Sequence, residues 1–124
     1  MLPVAGDVNY NTGVMVEAIL DAGKKSYGKV AIEVTEYMTF ADMAKLWEKA
    51  TGKHASFLEV SDEEYKQEWG LAGEELAAQF RFSEKHPYWD KFAPGEIIGL
   101  DELGVKNKLI GAEPMLKSLK AQLV

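Results

Sequence analysis

Residues 80–92 contain the densest group of side chains able to do chemistry. Five of these 13 residues are aromatic, against 10% of the whole chain, and they are Phe80, Phe82, Tyr88, Trp89 and Phe92. His86 and Asp90 lie among them, and a histidine beside a carboxylate can act as a general base near neutral pH. The pattern predicts His86 and Asp90 as catalytic residues, with the aromatic side chains holding a flat apolar substrate. The alternative interpretation is an exposed His-Pro turn whose aromatic side chains anchor the loop to the core.

Glu33 is a third candidate, because it interrupts an apolar stretch. Val30, Ile32 and Val34 alternate with more polar residues and therefore share one face of a predicted strand. Glu33 points to the opposite face. If that face lines a cavity, burial raises the pKa of the carboxyl and lets it transfer protons. If the face is open to water, Glu33 is a solvated surface residue.

The sequence predicts no metal and no cofactor. The chain has no cysteine, and its two histidines, His54 and His86, lack the close spacing of a metal-binding pair. One glycine pair, Gly70 and Gly73, has the separation seen in phosphate-binding loops. It lies within a helical pattern and follows no strand, so it indicates close helix packing instead.

Helices with clear start and stop signals must position these residues. Helical periodicity predicts four of them, at about residues 7–20, 39–52, 61–80 and 112–123. Thr39 with Asp42 and Ser61 with Glu64 are capping boxes, and glycine follows the first and second helices. The third helix is expected to break in two near Trp69 and Gly70.

Short strands complete the predicted fold. They cover residues 29–36, 54–60 and 96–100, and one helical turn is expected at 101–104. The resulting class is α/β (or α+β), with three or four major helices packed on a short sheet of two to three strands. With 124 residues, the chain is predicted to form a single domain, 1–124.

Composition excludes several classes of partner. Twenty acidic against 14 basic residues give a net charge of −6, which disfavours nucleic acids and anionic membranes. No apolar run reaches the length of a membrane span, and the first residues lack the features of a signal peptide. A cytoplasmic location is expected.

The order of the predicted elements and several short sequence motifs together resemble those of a known protein family. The resemblance rests on Ala18-Ile-Leu20, on Gly28-Lys29 before the first strand, on Thr51-Gly52-Lys53 at the end of a helix, and on Val60-Ser-Asp-Glu-Glu-Tyr65. Over roughly residues 8–82 the chain resembles the C-terminal, substrate-side lobe of the NmrA-like family, the atypical short-chain dehydrogenases related to isoflavone reductase. Asn11 stands where that family has an acidic residue.

The resemblance implies a lobe that binds small molecules. The family's glycine-rich dinucleotide loop belongs to its Rossmann half, and this chain contains no such motif. NAD(P)-dependent hydride transfer by the chain alone is therefore not expected. The favoured hypothesis is an enzyme that isomerises, cyclises or dehydrates a hydrophobic secondary metabolite by acid–base chemistry.

Two alternatives stay open at this stage. One is a non-catalytic regulatory module that binds a protein partner, as some NmrA-like members do. The other is a fragment that needs a separate NAD(P)-binding Rossmann chain. In each case apolar surface is expected to be exposed, and a homodimer would cover it most simply.

Overall fold

The computed structural model describes residues 1–86, 88–89 and 91–123. They form a mixed α/β structure with four α-helices and short two-stranded sheets, which confirms the predicted class. The chain divides into two compact units. The first consists of Met1–Phe57 and Pro94–Val124, and the second of Leu58–Ala93.

Helix α1 (Val8–Ala22) carries the core of the first unit. It begins at Val8 because the Asp7 side chain accepts a hydrogen bond from the backbone N–H of Asn9 (3.1 Å). Met15 and Ala18 lie one turn apart on its buried face and pack against Val105. The predicted helix at 7–20 is confirmed, with its end two residues later.

Strands β2 (Val30–Ala31) and β3 (Glu36–Met38) replace the single strand predicted at 29–36. Strand β2 pairs in parallel with β4 (Ile97–Ile98), and β3 pairs antiparallel with β1 (Leu2–Val4). The chain therefore changes partner between the two strands. The alternation of polar and apolar residues cannot predict this change of partner, because it indicates only on which face of a strand each side chain lies.

The strand predicted at 54–60 is wrong. That stretch is irregular and pairs with no other strand. Its first residues instead fold against the preceding helix, where the Glu48 carboxylate accepts a hydrogen bond from the backbone N–H of Ala55 (3.1 Å) and pairs with His54. The Phe57 ring then stacks on Phe40, with 6.0 Å between ring centroids.

Helices α2 (Phe40–Thr51) and α4 (Ala112–Leu123) pack against each other in the first unit. The predicted capping box of Thr39 and Asp42 is present, and Gly52 ends α2 in the left-handed conformation at φ 77°. An ion pair joins the two helices, with 2.6 Å between Lys49 Nζ and Glu113 Oε2. The first turn of α4 is anchored by Glu36, whose carboxylate accepts a hydrogen bond from the Ala112 N–H (2.7 Å).

Helix α3 (Asp62–Lys85) forms most of the second unit and is bent into a hairpin. Gly70 has φ 62° and ψ −140°, which are not helical values, so residues 62–69 form a first limb and 71–85 a second limb. Arg81 pairs with Asp62. In a straight helix these residues would lie roughly 28 Å apart, so the second limb folds back on the first. The predicted break near Trp69 and Gly70 is confirmed.

Candidate functional site

Glu33 lies where the chain passes from one sheet to the other. Just before it, the Ile32 N–H donates to the Ile98 carbonyl (3.1 Å). Just after it, the Thr35 N–H and hydroxyl both donate to the Val4 carbonyl, at 2.8 and 2.9 Å. These bonds fix the backbone on both sides of Glu33, so the position of its side chain is set by long-range pairing.

In the described part of the chain, Glu33 has the only buried carboxyl oxygen that lacks a hydrogen-bond partner, although the residue as a whole is half-buried. Its Oε1 atom is buried, and no described donor reaches it. Burial raises the pKa of Glu33 above the ordinary value of 4.5, because the charged form loses hydration without gaining a partner. A carboxyl in this state holds its proton more firmly and can donate it to a bound molecule.

His86 lies at the C-terminal end of α3 and is exposed. Its backbone N–H donates to the Phe82 carbonyl (2.9 Å), and its ring lies against the Phe82 ring, with 4.4 Å between centroids. The imidazole is thus positioned by the last turn of the helix and reachable from solvent. Asp90, its predicted partner, lies outside the described residues, so the His86–Asp90 pair stays a prediction.

The predicted substrate-binding aromatic residues divide between the hairpin and the segment after it. Phe80 and Phe82 belong to the second limb, whereas Tyr88, Trp89 and Phe92 follow it and are half-buried. The Tyr88 and Trp89 rings are adjacent, with 6.1 Å between centroids and 45° between planes. The Lys91 ammonium lies 5.2 Å from the centre of the Phe92 ring.

The predicted site residues fall in both units. Glu33 belongs to the first unit, and His86 with the five aromatic residues belongs to the second. Within the second unit, the structure brings together Phe82 with His86 and Tyr88 with Trp89. Their roles in catalysis and substrate binding stay predictions.

Gly73 serves helix packing, as its sequence context predicted, whereas Gly70 forms the bend between the two limbs. A Cβ atom at position 73 would lie 2.7 Å from the Tyr65 carbonyl oxygen and 2.9 Å from the Trp69 Cβ. The second limb can therefore approach the first only because residue 73 has no side chain. Among the described residues, no group of three acidic, histidine or cysteine side chains is arranged to hold a metal ion.

Asn11 has a role that the sequence analysis missed. The sequence indicates a helix cap or the family position that is usually acidic, but the Asn11 side chain is fully buried. Its Nδ2 donates to the carbonyls of Ala5 (2.8 Å) and Ile110 (2.9 Å), and its Oδ1 accepts from the Ile110 N–H (2.8 Å). Asn11 precedes Met15 by one turn, so helical periodicity was the signal that placed it on the buried face.

The NmrA-like family model matches residues 3–111, and the chain belongs to this family. The match begins at β1 and ends just before α4, so it extends beyond residues 8–82, where the sequence resemblance lies. No curated protein and no solved structure matches the chain significantly. None of the described helices combines the length and apolar character needed to cross a membrane.

Proposed function

We propose that this NmrA-like chain binds a hydrophobic small molecule and catalyses a proton transfer on it, with Glu33 as the acid–base group. The observation that carries the proposal is the buried, unpaired carboxyl oxygen of Glu33. An unsatisfied buried polar group costs about 1–3 kcal/mol, a cost that structural residues rarely incur without compensation. A bound substrate that hydrogen-bonds to Glu33 would supply that compensation.

The raised pKa of Glu33 fits this role. A general acid works best when its pKa lies close to the working pH, and burial moves the Glu33 carboxyl in that direction. The step itself transfers a proton from the carboxyl to the substrate, or the reverse, and involves no change in oxidation state. Isomerisation, cyclisation and dehydration of a carbonyl-containing secondary metabolite all proceed by such steps.

The second unit carries a second candidate site of its own, formed by His86 and the aromatic residues. Tyr88 and Trp89 present adjacent half-buried rings, the type of surface on which flat apolar molecules stack. In this second candidate site the two rings bind the substrate and His86 is the acid–base group, because its ring lies against Phe82 and is open to solvent.

Hydrogen–deuterium exchange of an apolar ketone tests proton transfer directly. α-Tetralone has an exchangeable C–H next to its carbonyl, and its exchange in D₂O can be followed by NMR with and without the protein. We expect the protein to accelerate exchange and Glu33→Gln to remove at least about nine-tenths of that acceleration, since losing a general acid or base typically costs 10²–10⁴-fold. Glu17→Gln, at an exposed position of α1, is the matched control and should retain the full rate.

Two outcomes would count against the proposal. Exchange that is equally fast with the Glu33→Gln variant removes Glu33 from the reaction. If His86→Ala abolishes exchange while Glu33→Gln does not, the acid–base group is in the second unit. Native mass spectrometry of the chain purified from its source would then identify any retained metabolite and show whether the chain is the homodimer that we also propose.

A further inference from the structure

The second limb of the hairpin has an apolar stripe on the side away from the first limb. The buried residues of the second limb are Gly73, which faces the first limb, and Ala77, which lies one turn later on the same face of the helix. Leu71 and Glu75 each lie two positions from Gly73, which corresponds to about 200° around the helix. Ala78 and Phe82 continue this outer line, and all four residues are exposed, with Leu71 at 82% and Phe82 at 64%. We call Leu71, Glu75, Ala78 and Phe82 the outer stripe.

The spacing of the outer stripe is that of a helix-pairing seam. Its residues are separated by four, three and four positions, the repeat by which one helix packs along another. An apolar residue stands at each end, a small residue at the third position, and a carboxylate at the second. Since Glu75 forms no ion pair among the described residues, a partner helix would meet an uncompensated negative charge in the seam.

The second unit has a net negative charge. Residues 58–93 contain nine acidic and four basic side chains, a net charge of −5 out of −6 for the whole chain. Two of the four basic side chains form ion pairs within the hairpin: Lys66 pairs with Glu74 (2.6 Å), and Arg81 pairs with Asp62. A second copy of this hairpin would place like charges together, whereas a cationic helix would find complementary charge.

We propose that the outer stripe is a docking surface for a basic amphipathic helix. Leucine-sized residues of the partner, spaced four and three apart, pack on Leu71, Ala78 and Phe82. A lysine or arginine of the partner pairs with Glu75 and fixes the register, as charged residues within and beside helix-pairing seams do. This inference is independent of proton transfer by Glu33, which belongs to the first unit.

The test uses the full chain and a defined probe. The probe is a fluorescein-labelled helical peptide with leucine at both seam positions and lysine at the flanking positions of each heptad; its lysines repel one another and keep it from self-pairing. Its counterpart has glutamate in place of lysine. Fluorescence anisotropy at about 0.15 M salt, where charges are screened beyond about 8 Å, measures the Kd.

We expect the basic peptide to bind with a Kd in the micromolar range, and the acidic peptide not to bind. The double variant Leu71→Ser, Phe82→Ser should raise the Kd at least about tenfold, or 1.4 kcal/mol, and Glu75→Lys should do the same. The controls in α1 are Leu20→Ser and Glu17→Lys, which change an exposed leucine and an exposed glutamate. These controls should bind as the unchanged chain does.

Several results would overturn the inference. They are a Kd above about 1 mM for the unchanged chain, equal binding of the two peptides, and undiminished binding by the double variant. A dimer of the unchanged chain in sedimentation, dissolved by the double variant, would show that a second copy occupies the stripe. Because the substituted residues are exposed, unfolding is not expected, and a circular dichroism melt matching that of Leu20→Ser verifies it.

Discussion

Asn11 shows how a single side chain can join distant segments of this protein. Its amide group contacts the backbone at Ala5 and at Ile110, nearly one hundred positions later in the chain. The Ile110 carbonyl also accepts a hydrogen bond from the Asp7 N–H (3.1 Å), so Asn11 and the start of α1 are both anchored there. The site is closely packed, since a Cβ added at Gly6 would collide with the Ile110 carbonyl oxygen.

Removal of this amide should be costly. We expect Asn11→Ala to lower the free energy of unfolding by about 2–4 kcal/mol, because each buried backbone group left without a partner costs about 1–3 kcal/mol. Asn9→Ala is the control, since Asn9 lies in the same helix and its side chain is exposed. Urea denaturation measures both variants, and an equal effect of the two would disprove the role assigned to Asn11.

Glu33 should make stability depend on pH in a defined direction. Its pKa is raised in the folded state, so the protein loses stability as pH rises from the ordinary value of 4.5 through the folded-state pKa. The amide introduced by Glu33→Gln is neutral at every pH. We therefore expect this variant to be more stable than the unchanged chain at pH 7, with the difference shrinking at and below pH 4.5.

Denaturation of both proteins at several pH values tests this expectation. Glu17→Gln, which changes an exposed glutamate, should show no such pH-dependent difference. A Glu33→Gln variant that is less stable than the unchanged chain at pH 7 would mean that the charged carboxylate has a partner in solution.

Among the secondary-structure elements, the ends of the helices could be predicted from the sequence, whereas the pairing of the strands could not. The capping boxes of α2 and α3 are both formed as predicted, because each involves residues only three positions apart. Strand β1 was not predicted, and the residues at 54–60 were wrongly assigned to a strand. A strand forms only where a pairing partner is available, and for β1 that partner is a segment more than 30 residues away in the sequence.

The hairpin of α3 depends on Gly73, and another helical glycine provides the comparison. We expect Gly73→Ala to destabilise the hairpin, because its Cβ would lie 2.7 Å from the Tyr65 carbonyl oxygen and force the limbs apart. Gly13→Ala in α1 meets no atom within 4 Å and should stabilise the protein by about 0.5–1 kcal/mol. Thermal unfolding followed by circular dichroism gives both changes, and effects of the same sign would contradict this packing.

On the scale of the whole molecule, the two units differ in how much they bury. Helix α1 buries Met15 and Ala18 against Val105, whereas the residues that α3 buries are the small Gly73 and Ala77. Buried apolar area is the main stabilising contribution to a fold, so the second unit should open more easily.

Hydrogen exchange of individual amides tests this difference. We expect the amides of α3 to exchange with a lower opening free energy than those of α1, and Gly73→Ala to accelerate exchange in α3 alone. Identical opening free energies in both helices would instead indicate one cooperative domain over residues 1–124, as the sequence analysis predicts.

Sequence patterns alone were sufficient to predict the class of the fold, the helices with their caps, the break at Gly70 and the resemblance to the NmrA-like family. These features depend on contacts between residues close in sequence or on the order of the elements. Local contacts and element order can both be predicted from the amino-acid sequence. The candidate site could be predicted only in part from the sequence. Glu33 was identified as a candidate from its place among apolar residues, but its burial stayed an open alternative.

The burial of the Glu33 Oε1 atom depends on contacts between segments that are distant in the sequence. Glu33 is placed by the hydrogen bonds of its neighbours to Ile98 and Val4, which come from opposite ends of the chain. The environment of Asn11 likewise combines Ala5 with Ile110. A side chain's hydration and its hydrogen-bond partners are properties of the space around it, and that space is formed by residues far away in sequence.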